Sequence, residues 1–252
     1  MNHRNGPLLR IEHVSKAFDG VQALNDVSFS VDAGELVALI GPNGAGKTTC
    51  FNVINGQLAP DAGSVWLAGE RLDGLPPQRI AMAGVGRTFQ TAATFASMSA
   101  RENVQLALLA GAGEYEALGR RLATAHVSKA DALLARVGAA SLAEQVCASL
   151  SYADVKRVEL AIALARAPRL LLMDEPTAGT APRDRGSIME LVSTLVRDSD
   201  VATLFTEHDV DVVFGFAARV IVLDRGRIIA DGPPASVRAD PRVQGVYLGT
   251  EA

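Results

Sequence analysis

Eight consecutive residues early in the chain have the types and the spacing of a loop that binds phosphate groups. Gly41 to Thr48 read G-P-N-G-A-G-K-T, and they follow an apolar run, Leu36 to Ile40, that predicts a buried strand. Glycines let the backbone turn tightly and direct its N–H groups at phosphate oxygens. The helix predicted to begin near Lys47 adds the positive end of its dipole. The sequence therefore predicts a loop that binds a nucleotide.

The side chains of this loop have separate predicted tasks. Lys47 can reach the β- and γ-phosphates, and the Thr48 hydroxyl can be a ligand of Mg²⁺. A glycine-rich turn that binds nothing is the alternative, but it leaves the fit of all these positions between a strand and a helix unexplained. The predicted nucleotide-binding residues of the loop are Gly41, Pro42, Asn43, Gly44, Ala45, Gly46, Lys47, Thr48 and Thr49.

Two adjacent acids form the second candidate group. Arg169 to Glu175 read R-L-L-L-M-D-E, which predicts a buried parallel strand with acids at its carboxyl end. Ligands of open α/β sheets bind at that end. Asp174 is therefore predicted to hold Mg²⁺ through its water shell, and Glu175 to orient and polarise water beside the γ-phosphate. Without the phosphate loop, capping of a helix that starts at Pro176 would explain the acids equally well.

The pattern of the remaining chain predicts the elements that position these groups. Strand-like and helix-like segments alternate, which indicates an open, largely parallel sheet with helices on both faces. Val27 to Val31 and Ser64 to Leu67 suggest an antiparallel layer beside the nucleotide, and Asp224 to Arg227 suggest a hairpin turn. A capping box at Ser151 and Asp154 predicts a helix that ends before Pro168.

In their order and spacing, these motifs resemble those of ABC-type ATPases. Leu150 to Asp154 (L-S-Y-A-D) take the place of the family's Leu-Ser-Gly-Gly-Gln signature, and the likeness runs from about Leu8 to Gly249. It implies an α/β fold with a P-loop (RecA-like) parallel sheet, an antiparallel β layer and a helical subdomain. It also implies one domain over 8–249, with its core and β layer at 8–91 and 166–232, the helical subdomain at 92–165 and a C-terminal helical tail at 233–252.

The resemblance assigns three further residues to the nucleotide site. Phe18 stands where the family has an aromatic ring that stacks on adenine. Gln90 matches a glutamine that is a candidate metal ligand and joins the site to the helical subdomain. His208 matches the histidine that contacts the γ-phosphate. Taken alone, Phe18 would be expected in the core, and Gln90 would be an ordinary surface residue.

The same resemblance implies how the reaction is organised. Glu175, His208 and Lys47 are the expected catalytic residues, and the metal would lie among Thr48, Gln90 and Asp174. Ser151 and Ala153, at the start of the signature helix, would contact the ATP held by a second ATPase subunit, identical or paralogous. Unpaired N–H groups at that helix start favour an anion. The implied cofactors are therefore ATP and Mg²⁺.

Within the family, the chain is most similar to ATPase subunits of importers for branched-chain and other hydrophobic amino acids. The similarity rests on the tail Asp240 to Gly249, on Gly86 to Gln90, on Ser99 to Val104, and on Tyr152 in the signature. The partners it implies are two membrane permeases, which would dock near residues 91–104, and a periplasmic-type solute-binding protein. An exporter or lipid-transporter subunit and a soluble, non-transport ABC ATPase remain as alternatives.

Composition agrees with a cytoplasmic protein on the inner face of the membrane. The 24 Lys and Arg residues against 28 Asp and Glu residues give a net charge of −4, so no nucleic-acid partner is expected. Cys50 and Cys147 lack metal-ligand spacing and are expected to be buried hydrophobes. Neither a signal-peptide core nor an apolar run of about 18 residues is seen.

Two departures from the family pattern affect the expected activity. Ala153 puts a methyl group, and Asp154 a negative charge, near the predicted anion site at the helix start. Ala181 replaces the acid or amide that many relatives have at the position that bridges the two nucleotide sites. Because the lysine and both carboxylates are retained, we expect an active but slower ATPase.

Overall fold

The computed structural model describes residues 6–88, 94–113 and 124–248. Two sheets organise this part of the chain. The smaller is antiparallel, with strand order β2-β1-β4-β5, as the sequence predicted for the layer beside the nucleotide. Its strands are β1 (Leu9–Phe18), β2 (Val21–Val31), β4 (Ala62–Leu67) and β5 (Glu70–Arg71).

The larger sheet has six strands in the order β10-β9-β3-β8-β7-β6, and it is parallel except for β10. Its centre follows from the apolar runs of the sequence, because every residue of β3 and the first four residues of β7 are buried. The α/β fold class is confirmed. The strands are β3 (Leu36–Ile40), β6 (Val85–Thr88), β7 (Leu170–Asp174), β8 (Ala202–Thr206), β9 (Arg219–Asp224) and β10 (Arg227–Gly232).

The helices lie on both faces of the larger sheet and in a separate helical region. Those of the helical region, α3 to α5, lie between β6 and β7 in the chain. The helices are α1 (Lys47–Ile54), α2 (Pro77–Ala83), α3 (Ala100–Ala112), α4 (Val127–Arg136), α5 (Tyr152–Leu164), α6 (Pro182–Ser199), α7 (Val210–Phe216), α8 (Pro234–Ala239) and α9 (Pro241–Val243), with short 3₁₀ turns at Ala140–Leu142 and Cys147–Ser149 and a π-helical turn at Gln244–Leu248.

Two hydrophobic cores cover the faces of the larger sheet, and β3 contributes to both. Ile40 belongs to the core that includes α5 and α6, whereas Leu39 belongs to the core shared with α1 and the antiparallel sheet. This division follows from the alternation of side chains along a strand. Each of the two side chains is fully buried and contributes about 1.5–3 kcal/mol to the free energy of unfolding.

Local signals fix the ends of several elements. The predicted hairpin is confirmed: Arg225 and Gly226 both have positive φ, at 45° and 76°, as a two-residue type I′ turn requires.

The predicted capping box of α5 is half right. The Ser151 hydroxyl accepts from the Asp154 N–H at 3.2 Å, but the Asp154 carboxylate accepts from that hydroxyl at 2.7 Å rather than from the backbone of Ser151.

A complete capping box begins α3 instead, where the sequence analysis had not identified one. The Ser99 hydroxyl accepts from the Glu102 N–H, and the Glu102 carboxylate accepts from the Ser99 N–H at 2.8 Å.

Cys50 and Cys147 are buried free thiols, as expected, and burial raises the pKa of Cys50 to about 12. Within the described residues, no helix has both the length and the apolar character needed to cross a membrane.

Candidate functional site

The loop between β3 and α1 has the backbone that its glycines predict. Gly41 and Gly46 have φ angles of 150° and 109°. A Cβ atom on Gly41 would lie 2.0 Å from the carbonyl oxygen of Leu223, and one on Gly46 would lie 2.4 Å from that of Ala23. Both contacts are with backbone, so neither position accepts a larger residue without moving a neighbouring strand. The path of the loop is thus fixed by steric contact with β2 and β9.

Lys47 folds back over this loop and is only 8% exposed. Its ammonium group donates to the carbonyl oxygens of Gly41 at 2.7 Å and Pro42 at 3.1 Å. Burial lowers the pKa of Lys47, and the nearby Glu175 and Asp174 carboxylates oppose this shift. The cation is therefore held at the loop by contacts with neutral carbonyl groups, which negatively charged phosphate oxygens can replace.

A cavity of about 200 Å³ brings the loop together with the strand-end acids and the histidine. It opens at the carboxyl ends of β3, β7 and β8, where an open parallel sheet binds ligands. The sequence pattern predicted the phosphate loop and the strand-end acids at this edge of the sheet, and the family resemblance added the histidine. The residues that line the cavity are Ala23, Asn43, Gly44, Ala45, Gly46, Lys47, Thr48, Thr49, Asp174, Glu175 and His208.

Asp174 is oriented by two residues that the sequence analysis did not single out. Its Oδ1 atom accepts from the Thr206 hydroxyl at 2.8 Å, and its Oδ2 atom lies 3.5 Å from the Arg87 guanidinium. Burial lowers the pKa of Arg87, and the nearby Asp174 carboxylate offsets part of this shift by raising the pKa. Asp174 and the exposed Thr48 line the same cavity with oxygen atoms, the donor type that Mg²⁺ prefers, so the residues present fit this ion.

Glu175 occupies a backbone conformation that is uncommon for a residue with a side chain. Its φ is 50°, and its N–H donates to both the carbonyl and the hydroxyl oxygen of Thr206, each at 3.1 Å. This geometry places its Oε1 atom 3.0 Å from Nε2 of His208. Such strain occurs where the surroundings hold a residue in place, and here it directs the carboxylate at the histidine.

Glu207 connects the strand-end acids to the histidine, and sequence reasoning missed it. Its Oε1 atom accepts from the backbone N–H of Thr177 at 2.7 Å and from the Thr177 hydroxyl at 2.6 Å. Its Oε2 atom accepts from the N–H of His208 at 3.1 Å. The side chain is 4% exposed, so this buried carboxylate ties the segment after Glu175 to the segment that carries His208.

We expect Glu207→Gln to lower the free energy of unfolding by about 1–3 kcal/mol, because the amide NH₂ would face a donor wherever it points. Chemical denaturation of the two proteins measures the difference. Glu190→Gln is the matched control, since Glu190 is exposed on α6. Equal stability of the Glu207 variant and the wild type would mean that its three hydrogen bonds are dispensable.

The predicted adenine contact and the signature residues are not among the residues that line this cavity. Phe18 ends β1, is 42% exposed and does not line the cavity; the Lys16 ammonium lies 5.7 Å from its ring centroid. Ser151 and Ala153 begin α5 and do not line the cavity either. Gln90 lies outside the described residues, so its predicted roles remain predictions.

Tyr152 takes the place of a signature glycine and contacts the segment after the strand-end acids. A Cβ atom on Gly179 would lie 2.7 Å from the Tyr152 ring, and φ of Gly179 is 78°. The ring therefore lies against the backbone at Gly179. This contact connects the start of α5 to the turn that follows β7, a link that the sequence pattern did not reveal.

Two sequence families match the chain. A family described as ABC transporter matches residues 24–178, which is more than half of the chain. A second family, described as branched-chain amino acid ATP-binding cassette transporter, matches residues 227–252. The first match includes the phosphate loop and the strand-end acids, and the second covers β10 and the tail.

Similar proteins match over nearly the full length. The high-affinity branched-chain amino acid transport ATP-binding protein LivG of Salmonella typhimurium is 36% identical over 96% of this chain and 98% of its own. A solved ABC transporter cassette in its ADP conformation has a TM-score of 0.85 and 31% identity, covering 97% of this chain and 100% of that one. A dimeric bacterial ABC transporter cassette has a TM-score of 0.75 and 25% identity, covering 90% and 98%.

Proposed function

This chain belongs to the ABC transporter family of ATP-binding proteins, and from that premise we propose that it drives the import of branched-chain or other hydrophobic amino acids. It is a nucleotide-binding ATPase that powers transport. The match of residues 227–252 to a family of branched-chain amino acid cassettes carries the proposed substrate class. The identity with a LivG protein over 96% of the chain supports the same class.

The phosphates of ATP are proposed to lie along the loop, with Lys47 exchanging its carbonyl partners for phosphate oxygens. The base would stack on Phe18. Thr48 and Asp174 are proposed to hold Mg²⁺, with Gln90 as a third ligand, and the ion would supply charge neutralisation at the phosphates. The hydrogen bond that the Thr206 hydroxyl donates to Asp174 supports this role, because it orients the carboxylate.

Glu175 is proposed to orient the attacking water and accept its proton. His208, whose Nε2 lies 3.0 Å from the Glu175 carboxylate, would hold that carboxylate and stabilise charge on the γ-phosphate together with Lys47. The three groups belong to separate strand ends around one cavity. Their convergence supports a direct attack of water on the γ-phosphate.

A second ATPase subunit, identical or paralogous, is proposed to complete the site. Ser151 and Ala153 of one subunit would contact the γ-phosphate held by the loop of the other, because a helix start offers an anion its N–H groups and the positive end of its dipole. Two membrane permeases would dock near residues 91–104, and a periplasmic-type protein would deliver the solute. The complex would lie on the cytoplasmic face of the membrane.

Ala153→Gly should tighten ATP-dependent dimerisation by about tenfold to a hundredfold and raise ATP turnover. The Cβ of Ala153 stands at the second helical position, where it restricts approach of the N–H groups to a partner's phosphate; one regained charge-assisted hydrogen bond contributes about 1.5–3 kcal/mol. Dimerisation and turnover measured against ATP concentration test this. Superimposable curves for the two proteins would show that the methyl group is accommodated without cost.

Uptake in the source organism tests the proposed function. Deletion of the gene should abolish ATP-dependent uptake of radiolabelled leucine, isoleucine and valine, and the wild-type gene should restore it. A gene encoding Glu175→Gln should not. Uptake of lysine serves as the control for general damage to the membrane. Unchanged uptake of all three hydrophobic amino acids would reject this substrate class, and the ATPase assignment would still stand.

A further inference from the structure

The C-terminal segment returns to the nucleotide site, although none of its residues belongs to the predicted chemistry. After α8 and α9, the turn Gln244–Leu248 runs past the phosphate loop. Gly245 and Val246 line a cavity of about 380 Å³ together with Pro42 to Ala45. Val243 is fully buried in the core that includes α5 and α6, which anchors the segment there.

Tyr247 is the residue of this segment that reaches the histidine. Its hydroxyl donates to the carbonyl oxygen of Glu207 at 3.2 Å, one residue before His208. Burial, with added effects from the Glu207 and Asp209 carboxylates, raises the pKa of Tyr247 to about 12. The hydroxyl therefore remains protonated and able to donate at neutral pH.

The chain around His208 is held from several sides, whereas the imidazole is half exposed and contacts the Glu175 carboxylate. The Glu207 carboxylate bonds to Thr177, and the Asp209 carboxylate pairs with Arg185 and caps α7. The side chain of His208 is 48% exposed. Its place beside Glu175 therefore depends on where the backbone at 207–208 is held, and Tyr247 bonds directly to that backbone.

We propose that Tyr247 is a positioning residue for ATP hydrolysis, which holds the backbone at Glu207 so that His208 stays in contact with Glu175. The inference rests on the catalytic roles given above to Glu175 and His208. It assigns the C-terminal segment a task in the chemical step. The segment, which is anchored in the hydrophobic core by Val243, would then hold the backbone next to the histidine.

A double-mutant cycle separates positioning from general stabilisation. The proteins compared are the wild type, Tyr247→Phe, His208→Ala and the double variant. Gln244→Ala is the matched control, because Gln244 lies in the same turn and its amide donates to the Arg238 carbonyl at 3.2 Å, away from the histidine. For each protein, kcat, KM for ATP and Tm are measured.

Tyr247→Phe should lower kcat about twofold to tenfold, the effect of one lost hydrogen bond, while KM for ATP stays within about twofold of the wild-type value. In the His208→Ala background, the same change should have no further effect on kcat, since the group it positions is absent. Gln244→Ala should leave kcat at the wild-type value, even if Gln244→Ala and Tyr247→Phe lower Tm by similar amounts.

Three results would overturn the proposal. A wild-type kcat for Tyr247→Phe, with His208→Ala impaired, would reject the positioning role and leave the catalytic role of His208 intact. If Tyr247→Phe lowers kcat by the same factor in the wild type and in His208→Ala, Tyr247 acts on general stability rather than through His208. A wild-type kcat for His208→Ala would reject the positioning role and the proposed catalytic role together.

Discussion

The Glu175→Gln variant is expected to bind ATP normally and to hydrolyse it about 10²- to 10⁴-fold more slowly than the wild type. This range is what a positioned general base contributes. Glutamine has nearly the same size and retains an oxygen atom that can contact His208, so the fold and the binding cavity should be preserved. It lacks the carboxylate that polarises water. Phosphate release measured at saturating ATP gives the ratio directly.

The same variant tests the proposed ATP-bound dimer. Because ATP is bound and not cleaved, the two subunits should remain associated, and size-exclusion chromatography in Mg-ATP should show a dimer that persists. Glu70→Gln is the matched control, since Glu70 is exposed on the edge strand β5 of the antiparallel sheet. A monomeric Glu175→Gln protein in ATP, alongside a wild type that dimerises, would contradict the shared-site mechanism.

The sequence predicted the elements of the site because each is encoded by residues that are close together in the chain. The phosphate loop follows β3, and the acids end β7, so a local apolar run and a local motif are enough to place both. The parallel order of these strands then brings their carboxyl ends to one edge. Lys47, Asp174 and Glu175 were predicted in this way, whereas His208 was assigned by the resemblance to ABC-type ATPases.

Residues that act through contacts across the fold could not be found from local pattern. Arg87 lies 3.5 Å from Asp174, and Tyr247 bonds to Glu207, yet neither pair has a spacing that any motif encodes. Glu207 directly precedes His208 in the sequence, and that position alone predicts no role for it. Its role depends on Thr177, on another strand end, and the sequence specifies that contact only after the sheet order is known.

Helix capping shows the same limit at short range. Ser151 and Asp154 have the spacing of a capping box, but aspartate is one methylene group shorter than glutamate, and in α5 its carboxylate bonds to the serine hydroxyl instead of the serine N–H. Glu102 in α3 does reach the N–H of Ser99. The spacing of the two residues was therefore informative, and the length of the acid decided the outcome.

Lys47→Ala is expected to abolish detectable hydrolysis and to weaken ATP binding by a factor on the order of 10² to 10⁴. Lys47 is the one cation among residues 41–49. Two charge-assisted hydrogen bonds to phosphate contribute about 3–6 kcal/mol together, which corresponds to that factor. The variant also removes the group that bonds to the Gly41 and Pro42 carbonyls.

Thermal unfolding with and without ATP measures this loss without any assay of activity. At a ligand concentration of about 100 times Kd, wild-type protein should gain about 2.7 kcal/mol of stability, whereas the variant should gain almost none at the same concentration. Lys129→Ala is the matched control, because Lys129 is exposed on α4, in the helical region. An equal ATP-induced rise in Tm for Lys47→Ala and the wild type would place the phosphates away from this loop, and with them the whole arrangement of Glu175 and His208 around the γ-phosphate.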